Sequence, residues 1–463
     1  CQALQESTQR KKYIQLMKAF KAYDIRGVFD RDWNADDAYK IGYFLPRLLK
    51  ASEVLVGRDI RVSSDEIFEA LSKGISDAGS DVVDLGLCTT PMVYWATARG
   101  AYVASVQITA SHNPKEYNGL KVSTSNAMPI GYEAGLNKIQ QWMLSEEINP
   151  SSEKGKIREL DIKSDYLDYM ANYRTDLGDL RIAIDSSNGM AGMLIQDIMG
   201  DEPDYINIEP DGTFPNHDPN PLEIKNVRQL SSMVAEADYD LGIIFDGDAD
   251  RVMFVDENGK FISPDLMIAV LGHYFLPDGS HERVLQDIRS SRSISEYLSP
   301  MGAEVHTWRV GRAFATPHLR KIDGLFGGEL AGHYYFKDFY YSDSGILAAL
   351  LISTVLADQK RQGIKVSQLI AKISRYKCSG ELNYTIEDKS TAIQKVISYF
   401  KEKEEPESIM DFDGYRLDYK DYWLNIRPSN TEPYLRFIAE ARTQEKLDDL
   451  IRKVEEILRP YLS

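Results

Sequence analysis

Cysteine is scarce in this 463-residue chain, and Cys1, Cys88 and Cys378 are too scattered for a disulfide framework or a zinc site. That usage fits a reducing compartment and predicts a cytoplasmic protein. Positive charge is in short supply as well. The 54 Lys and Arg face 71 Asp and Glu, a net charge of −17, so no nucleic-acid partner is expected, because that role needs a basic face. Long apolar runs are missing too. The longest, Gly345 to Ala357, falls short of the ~20 residues needed to span a bilayer and reads as a buried core helix, so no membrane partner is expected. Residues 1–16 are polar and lack an apolar segment, so they are not an intact signal peptide. Met17 opens what reads like a natural beginning, and 1–16 are expected to be a non-native or disordered extension.

What is present is an alternation of strands and helices across several domains. The length exceeds what one hydrophobic core supports, and about three or four domains are expected. Strands Glu53 to Gly57, Val82 to Leu85 and Tyr102 to Ile108 are separated by helices Asp65 to Ala78 and Met92 to Thr97, which predicts an α/β domain with a largely parallel sheet. The expected units are 1–156, 157–258, 259–375 and 376–463. The first three are α/β. The last is a smaller α+β unit with short strands and an amphipathic closing helix, Thr443 being its expected N-cap. In the second unit a helix is expected after Asp185-Ser186-Ser187-Asn188-Gly189.

Four stretches carry residues suited to chemistry. Thr109-Ala110-Ser111-His112-Asn113-Pro114 ends a strand, and Pro114 stops any continuation, so Ser111 is expected on a tight loop with its hydroxyl exposed. An ordinary turn has the same composition. Asp246-Gly247-Asp248-Ala249-Asp250-Arg251 sets three carboxylates at alternate positions, able to converge on one hard cation. An EF-hand loop starts similarly, but Arg251 stands where its sharp turn needs Gly, and the flanks read as strands. A solvated acidic loop remains the plain alternative. Gly327-Gly328-Glu329-Leu330-Ala331-Gly332-His333 is a Gly-rich turn with one acid and one imidazole, suited to sugar hydroxyls and proton transfer, although a lone pair of this kind is usually just solvated. Arg427-Pro428-Ser429-Asn430-Thr431 has the makings of a phosphate cradle and equally those of a capped turn.

Together with Tyr23-Asp24-Ile25-Arg26-Gly27, these stretches resemble, in the same order, the motifs of the α-D-phosphohexomutases, which include phosphomannomutase/phosphoglucomutase and phosphoglucosamine mutase. The resemblance runs from Met17 to the C-terminus. It implies three related α/β domains with mixed sheets plus a smaller C-terminal α+β domain around a central cleft. It implies a phosphoryl group on Ser111, flanked by His112, and Mg²⁺ held by Asp246, Asp248 and Asp250 with the Ser111 phosphate. Lys121 and His333 are the implied proton-transfer groups, and Arg26 and Arg251 stabilise the moving phosphoryl group. Tyr23, Glu329 and Ala331 are implied sugar-site residues; Arg427, Ser429, Asn430 and Thr431 hold the non-reacting phosphate.

The implied activity interconverts hexose 1- and 6-phosphates of mannose and/or glucose, with a hexose 1,6-bisphosphate as intermediate and activator, in a monomer or weak dimer. Phosphoglucosamine mutase is the alternative; a phosphatase or a non-catalytic sugar-phosphate binder are further ones. Two positions depart from the family pattern. Ala331 stands where Ser is frequent, and Thr316 where Lys is usual, with Arg312 expected to compensate.

Overall fold

The computed structural model describes residues 18–277, 279–429 and 434–462. The expected extension 1–16 lies outside the described residues, as do Asn430 and Thr431 of the cradle motif.

The first sheet contains β1 (Ile25–Val28), β2 (Glu53–Arg58), β3 (Asp81–Leu87), β4 (Ala104–Ile108), β5 (Tyr117–Thr124), β6 (Met128–Pro129) and β7 (Ile157–Glu159). Its order is β1-β5-β4-β2-β3-β7, with β6 on β5. Only β4, β2, β3 and β7 run parallel; β1 and β5 are antiparallel to their neighbours. The expected largely parallel sheet is therefore mixed. Asn118, Gly119 and Lys121 hide β5 by breaking its apolar pattern. The sheet takes its last strand from just past the expected boundary at 156.

The second sheet holds β8 (Ile182–Asp185), β9 (Asp204–Ile206), β10 (Leu241–Phe245), β11 (Val252–Asp256) and β12 (Phe261–Ile262), in the order β12-β11-β10-β8-β9. The expected helix after Gly189 is broken into a 3-10 turn, Met190–Met193, and a short helix, Ile195–Met199, with Leu194 non-helical between them. The third sheet comprises β13 (Glu282–Asp287), β14 (Ala303–Trp308), β15 (Phe326–Gly328), β16 (Tyr334–Phe336) and β17 (Ser342–Asp343). The fourth comprises β18 (Lys377–Cys378), β19 (Leu382–Thr385), β20 (Ser408–Met410), β21 (Tyr415–Asp418), β22 (Tyr422–Pro428) and β23 (Tyr434–Ala441), all paired antiparallel. Helix Gln444–Leu458 packs against it through Leu447, Leu450, Val454 and Leu458, and the Thr443 side chain caps it by accepting from the Lys446 N–H at 3.2 Å.

Alternation along β2 shows how the domains are joined. Val54 and Val56 enter a core with Ile41, Phe44, Ile67 and Leu71, on two helices that cover one face of the first sheet. Leu55 points the other way, toward Met92 and Trp95 on helix Thr90–Arg99. That second core continues through Phe245 and Val252 of the second sheet into helix Gly345–Arg361, buried as its apolar run requires. The first three sheets thus meet in one shared core besides the separate ones on their other faces, while the fourth keeps its own. No helix among the described residues is long and apolar enough to cross a membrane.

Candidate active site

The four domains surround a cleft of about 1130 Å³ lined by Tyr23, Arg26, His112, Lys121, Asp250, Arg251, Glu329, Ala331, His333, Arg427 and Ser429. The Ser111 loop follows β4, the Asp246–Asp250 loop follows β10, and both reach the cleft from strand ends. They touch. A Cβ on Gly247 would meet the Ser111 carbonyl oxygen at 2.5 Å, so the small residue between carboxylates is needed for this approach. A second close fit lies behind the loop. A Cβ on Gly345 would meet the Arg251 carbonyl oxygen at 2.7 Å, and the Gly345 N–H donates to the Ala249 carbonyl at 3.1 Å.

The exposed serine hydroxyl expected from the sequence is corrected. Ser111 is fully buried and its Oγ donates to Asp246 Oδ2 at 2.7 Å. The aspartate loop of the second sheet covers it. Ser111 also sits in the left-handed region, φ 52°, as does Ala249, φ 62°, conformations that cost about 1 kcal/mol each.

Arg61 over-determines the serine loop. Its buried guanidinium donates to the carbonyls of Ser111 (2.8 Å), Asn113 (2.6 Å), Pro114 (2.7 Å) and Tyr117 (3.0 Å) and pairs with Asp59 at 3.2 Å. The Ser111 N–H donates to Thr109 Oγ1 at 2.9 Å.

Oxygens of Asp246, Asp248 and Asp250 lie within 4.8 Å of one another, all buried. Among the described residues Asp248 Oδ1 and Asp250 Oδ1 accept no hydrogen bond. Orphaned carboxylate oxygens converging in an all-oxygen set fit a hard divalent cation. Burial, then Asp248 and Asp250, push the Asp246 pKa well above the usual carboxylate range. Lys121 Nζ lies 2.6 Å from Asp248 and 2.5 Å from Asp250. Burial alone would lower the lysine pKa, but these two carboxylates outweigh it and raise it. Thr90 on the first-domain helix also donates its hydroxyl to Asp248 Oδ2.

His333 is held at both ends. Nδ1 faces Asp343 Oδ2 at 2.7 Å, and Nε2 accepts from Arg251 Nε at 2.9 Å, which places the proton on Nδ1 and leaves the Nε2 lone pair toward the cleft cations. Burial would raise Asp343, but His333 and Arg312 prevail and hold its carboxyl below the usual range. His112 is pushed well below its usual pKa by burial and then by Arg251, Arg26 and Lys121, so it is neutral. Arg26 donates to Asn113 Oδ1 at 3.0 Å and pairs with Asp24 at 2.5 Å.

Glu329 accepts from the Tyr335 hydroxyl at 2.7 Å and the Gly311 N–H at 3.1 Å, and Tyr23 packs its ring on Gly311. The Ser429 N–H donates to the Tyr434 carbonyl at 2.8 Å, closing the hairpin that carries Arg427. Thr316 is buried within helix Arg312–Lys321, away from the cleft lining. Arg312 lines the cleft, but it is engaged by Asp343 at 3.0 Å and the Ala127 carbonyl at 2.7 Å and lies 3.5 Å from the centre of the Tyr94 ring.

Residues 17–149, 164–259, 263–376 and 381–457 match in turn the alpha/beta/alpha domains I, II and III and the C-terminal domain of phosphoglucomutase/phosphomannomutase. The chain belongs to the phosphoglucomutase/phosphomannomutase family. It is 34% identical over 439 residues to a phosphomannomutase of Salmonella typhimurium, covering 92% of this chain and 95% of that one. It is 31% identical to a phosphomannomutase of Methanocaldococcus jannaschii over 96% of this chain and 98% of that one. Among solved structures, a phosphoglucomutase/phosphomannomutase family protein of Burkholderia thailandensis superimposes with a TM-score of 0.84 at 26% identity, over 96% of this chain and 98% of that one. The protein is an isomerase of the phosphohexomutase family, acting on sugar phosphates.

Several residues of this phosphohexomutase site were not singled out from sequence: Arg61, Thr90, Arg289 and Asp343. A signal did exist for two of them. The triplet Asp-Ile-Arg occurs at 24–26, 59–61 and 287–289, and each Arg pairs with the Asp two residues before it. Each triplet leaves an arginine at the cleft or beneath it. Thr90 acts across domains on Asp248, Asp343 acts within its own domain on His333 and Arg312, and nothing local marks either.

Proposed function

We propose that this phosphohexomutase interconverts the 1- and 6-phosphates of mannose and/or glucose through a phosphoryl group carried by Ser111. The observation carrying this reading is the buried contact of Ser111 Oγ with Asp246 at 2.7 Å, beside Asp248, Asp250 and Lys121. A phosphatase has no need to shield its serine so fully, and a mere binder has no need of the serine. Asp246, Asp248 and Asp250 hold Mg²⁺, which when bound neutralises charge on the moving phosphoryl group.

In the transfer step, a sugar hydroxyl oxygen attacks phosphorus as the P–Oγ bond of Ser111 breaks. His333 takes the hydroxyl proton at Nε2 once Arg251 Nε, which donates to that nitrogen at 2.9 Å, turns to the phosphoryl oxygens, Nδ1 being held by Asp343. Protonated Lys121 donates to the departing Ser111 Oγ, and Arg26 and Arg251 stabilise the equatorial oxygens. The product is a hexose 1,6-bisphosphate. It turns over in the cleft and returns its other phosphate to Ser111, which is why added bisphosphate acts as an activator. Glu329 takes sugar hydroxyls, with Tyr23 and Ala331 beside it, and Arg427, Ser429, Asn430 and Thr431 hold the phosphate that is not reacting. The partner is a small phosphosugar, and a cytoplasmic monomer or weak dimer fits the reading.

The test is kcat/KM for glucose 1-phosphate, mannose 1-phosphate and glucosamine 1-phosphate, with free phosphate measured alongside. Both hexose phosphates are expected to be isomerised without phosphate release. Glucosamine phosphate exceeding them by roughly two orders of magnitude, more than one missing hydroxyl contact produces, would overturn the sugar assignment.

A further inference from the structure

The arginines of the proposed phosphate cradle already hold an anion of the protein's own. Arg436 on β23 donates to Glu381 Oε2 at 2.9 Å, and guanidinium nitrogens of Arg427 and Arg289 each lie 3.5 Å from Oε1. Three more carboxylates press on the same group: Asp287 on Arg289 at 2.8 Å, Glu329 on Arg289 at 4.0 Å and Asp413 on Arg427 at 3.6 Å. Among the described residues three guanidiniums thus face four carboxylates, so the cradle has no surplus of positive charge before substrate arrives. A phosphate monoester adds about −1.5 to −2. It can bind these arginines favourably only if a carboxylate lets go.

The structure distinguishes which one. Asp287 also accepts from the Arg289 and Leu330 N–H groups, Glu329 from Tyr335 and Gly311, and Asp413 from the Val310 N–H. Their side chains are 1%, 3% and 8% exposed. Glu381 is 20% exposed, and Oε1 accepts no hydrogen bond among the described residues. It sits between β18 and β19, two strands of the fourth sheet, and its route to water is open along the cleft it lines.

We propose that Glu381 is a resident counter-anion of the phosphate cradle. It holds Arg289, Arg427 and Arg436 together between turnovers and yields Arg289 and Arg427 to the substrate phosphate. The inference rests on the reading of Arg427 as a phosphate ligand. Its consequence is a deliberately moderate phosphate affinity. A bisphosphate that must leave the cradle by one end and re-seat by the other needs a ligand on hand to take its place.

The experiment is calorimetric titration of inorganic phosphate into the wild-type protein and into Glu381→Gln and Glu381→Asp, with KM and kcat for the hexose phosphate measured in parallel. Glu381→Gln is expected to bind phosphate at least about five-fold more tightly, the range of ordinary coupling between two competing ligands. Its KM will fall with a lower kcat, because release slows. Glu381→Asp, whose carboxylate is withdrawn by one methylene, will tighten phosphate by a smaller factor, and it serves if thermal unfolding shows Glu381→Gln to be misfolded. Unchanged or weaker phosphate binding in both variants, or none in any of the proteins, overturns the proposal. The titration needs no turnover, so a wild-type protein lacking mutase activity would count against the functional reading while the Glu381 comparison still stands.

Discussion

The hydroxyl of Ser111 and the carboxylate of Asp246 meet at 2.7 Å across 135 residues of sequence, each delivered by a different sheet. Replacing Ser111 by Ala removes the phosphoryl carrier and leaves the loop otherwise held by Arg61. Turnover is expected to fall at least about a thousandfold, as for loss of a nucleophile elsewhere. Intact-mass analysis will show one labile phosphate on the wild-type protein and none on the variant. Retained activity would refute the assignment of Ser111.

Among the described residues Asp248 contributes an oxygen with no donor and a second shared by Lys121 and Thr90. Asp248→Asn keeps the shape and loses the charge. The variant will need more Mg²⁺ for half-maximal activity, and EDTA will stop the wild-type enzyme until Mg²⁺ is restored. An unchanged activation curve would exclude this loop as the metal site.

Arg61 holds the serine loop without reaching substrate. Arg61→Met strands buried Asp59 and frees the loop carbonyls that Arg61 held, a loss of about 3–5 kcal/mol for a broken buried pair. Arg61→Lys keeps the charge but cannot fork to several carbonyls. Denaturant unfolding will rank the proteins wild type, Lys, Met, and kcat will fall more than KM changes in the lysine variant. A lysine variant with wild-type kcat would show that the fork is dispensable.

The fold was legible where local pattern carries it and obscure where a partner lies far along the chain. The strands feeding Ser111 and Asp246, the buried helix from Gly345 and the Thr443 cap follow from apolar spacing and capping chemistry. β5 was missed because a strand with Asn118, Gly119 and Lys121 resembles a loop until β1 and β4 satisfy its backbone. Ser111 was read as exposed because nothing near it in sequence reveals that Gly247 will cover it. Arg61 escaped notice for a related reason: its acceptors are main-chain carbonyls, which every residue has.

His217 offers a pH test away from the metal loop. Its ring nitrogens lie 3.1 Å from Asp185 and 2.9 Å from the Asp218 carbonyl, so both nitrogens act as donors. Burial would lower its pKa, but the bond to Asp185 prevails and raises it. A raised folded pKa gives stability that is complete below the unfolded value of about 6.5 and is lost as pH rises through the folded value. His217→Gln will therefore cost more stability at pH 6 than at pH 9, read by denaturant midpoints. A cost that is equal at the two values would place His217 outside this linkage.

Ala331 adds no hydrogen bond of its own next to Glu329. Restoring a hydroxyl through Ala331→Ser is expected to shift the ratio of glucose to mannose kcat/KM by a few-fold, about 1 kcal/mol or less. An unchanged ratio would place residue 331 out of reach of the sugar.

The contact of Gly345 with the aspartate loop has a bearing on how the protein is made. A ribosome delivers the serine loop first, its cover at Asp246 much later, and the wedge at Gly345 later still. Throughout that interval the nascent chain displays a naked serine loop and half of an apolar core. Because one face of each of the first three sheets meets a shared core, that half of the packing is completed only when all three domains are made, whereas the C-terminal domain, whose core is entirely its own, is free to fold as soon as it emerges.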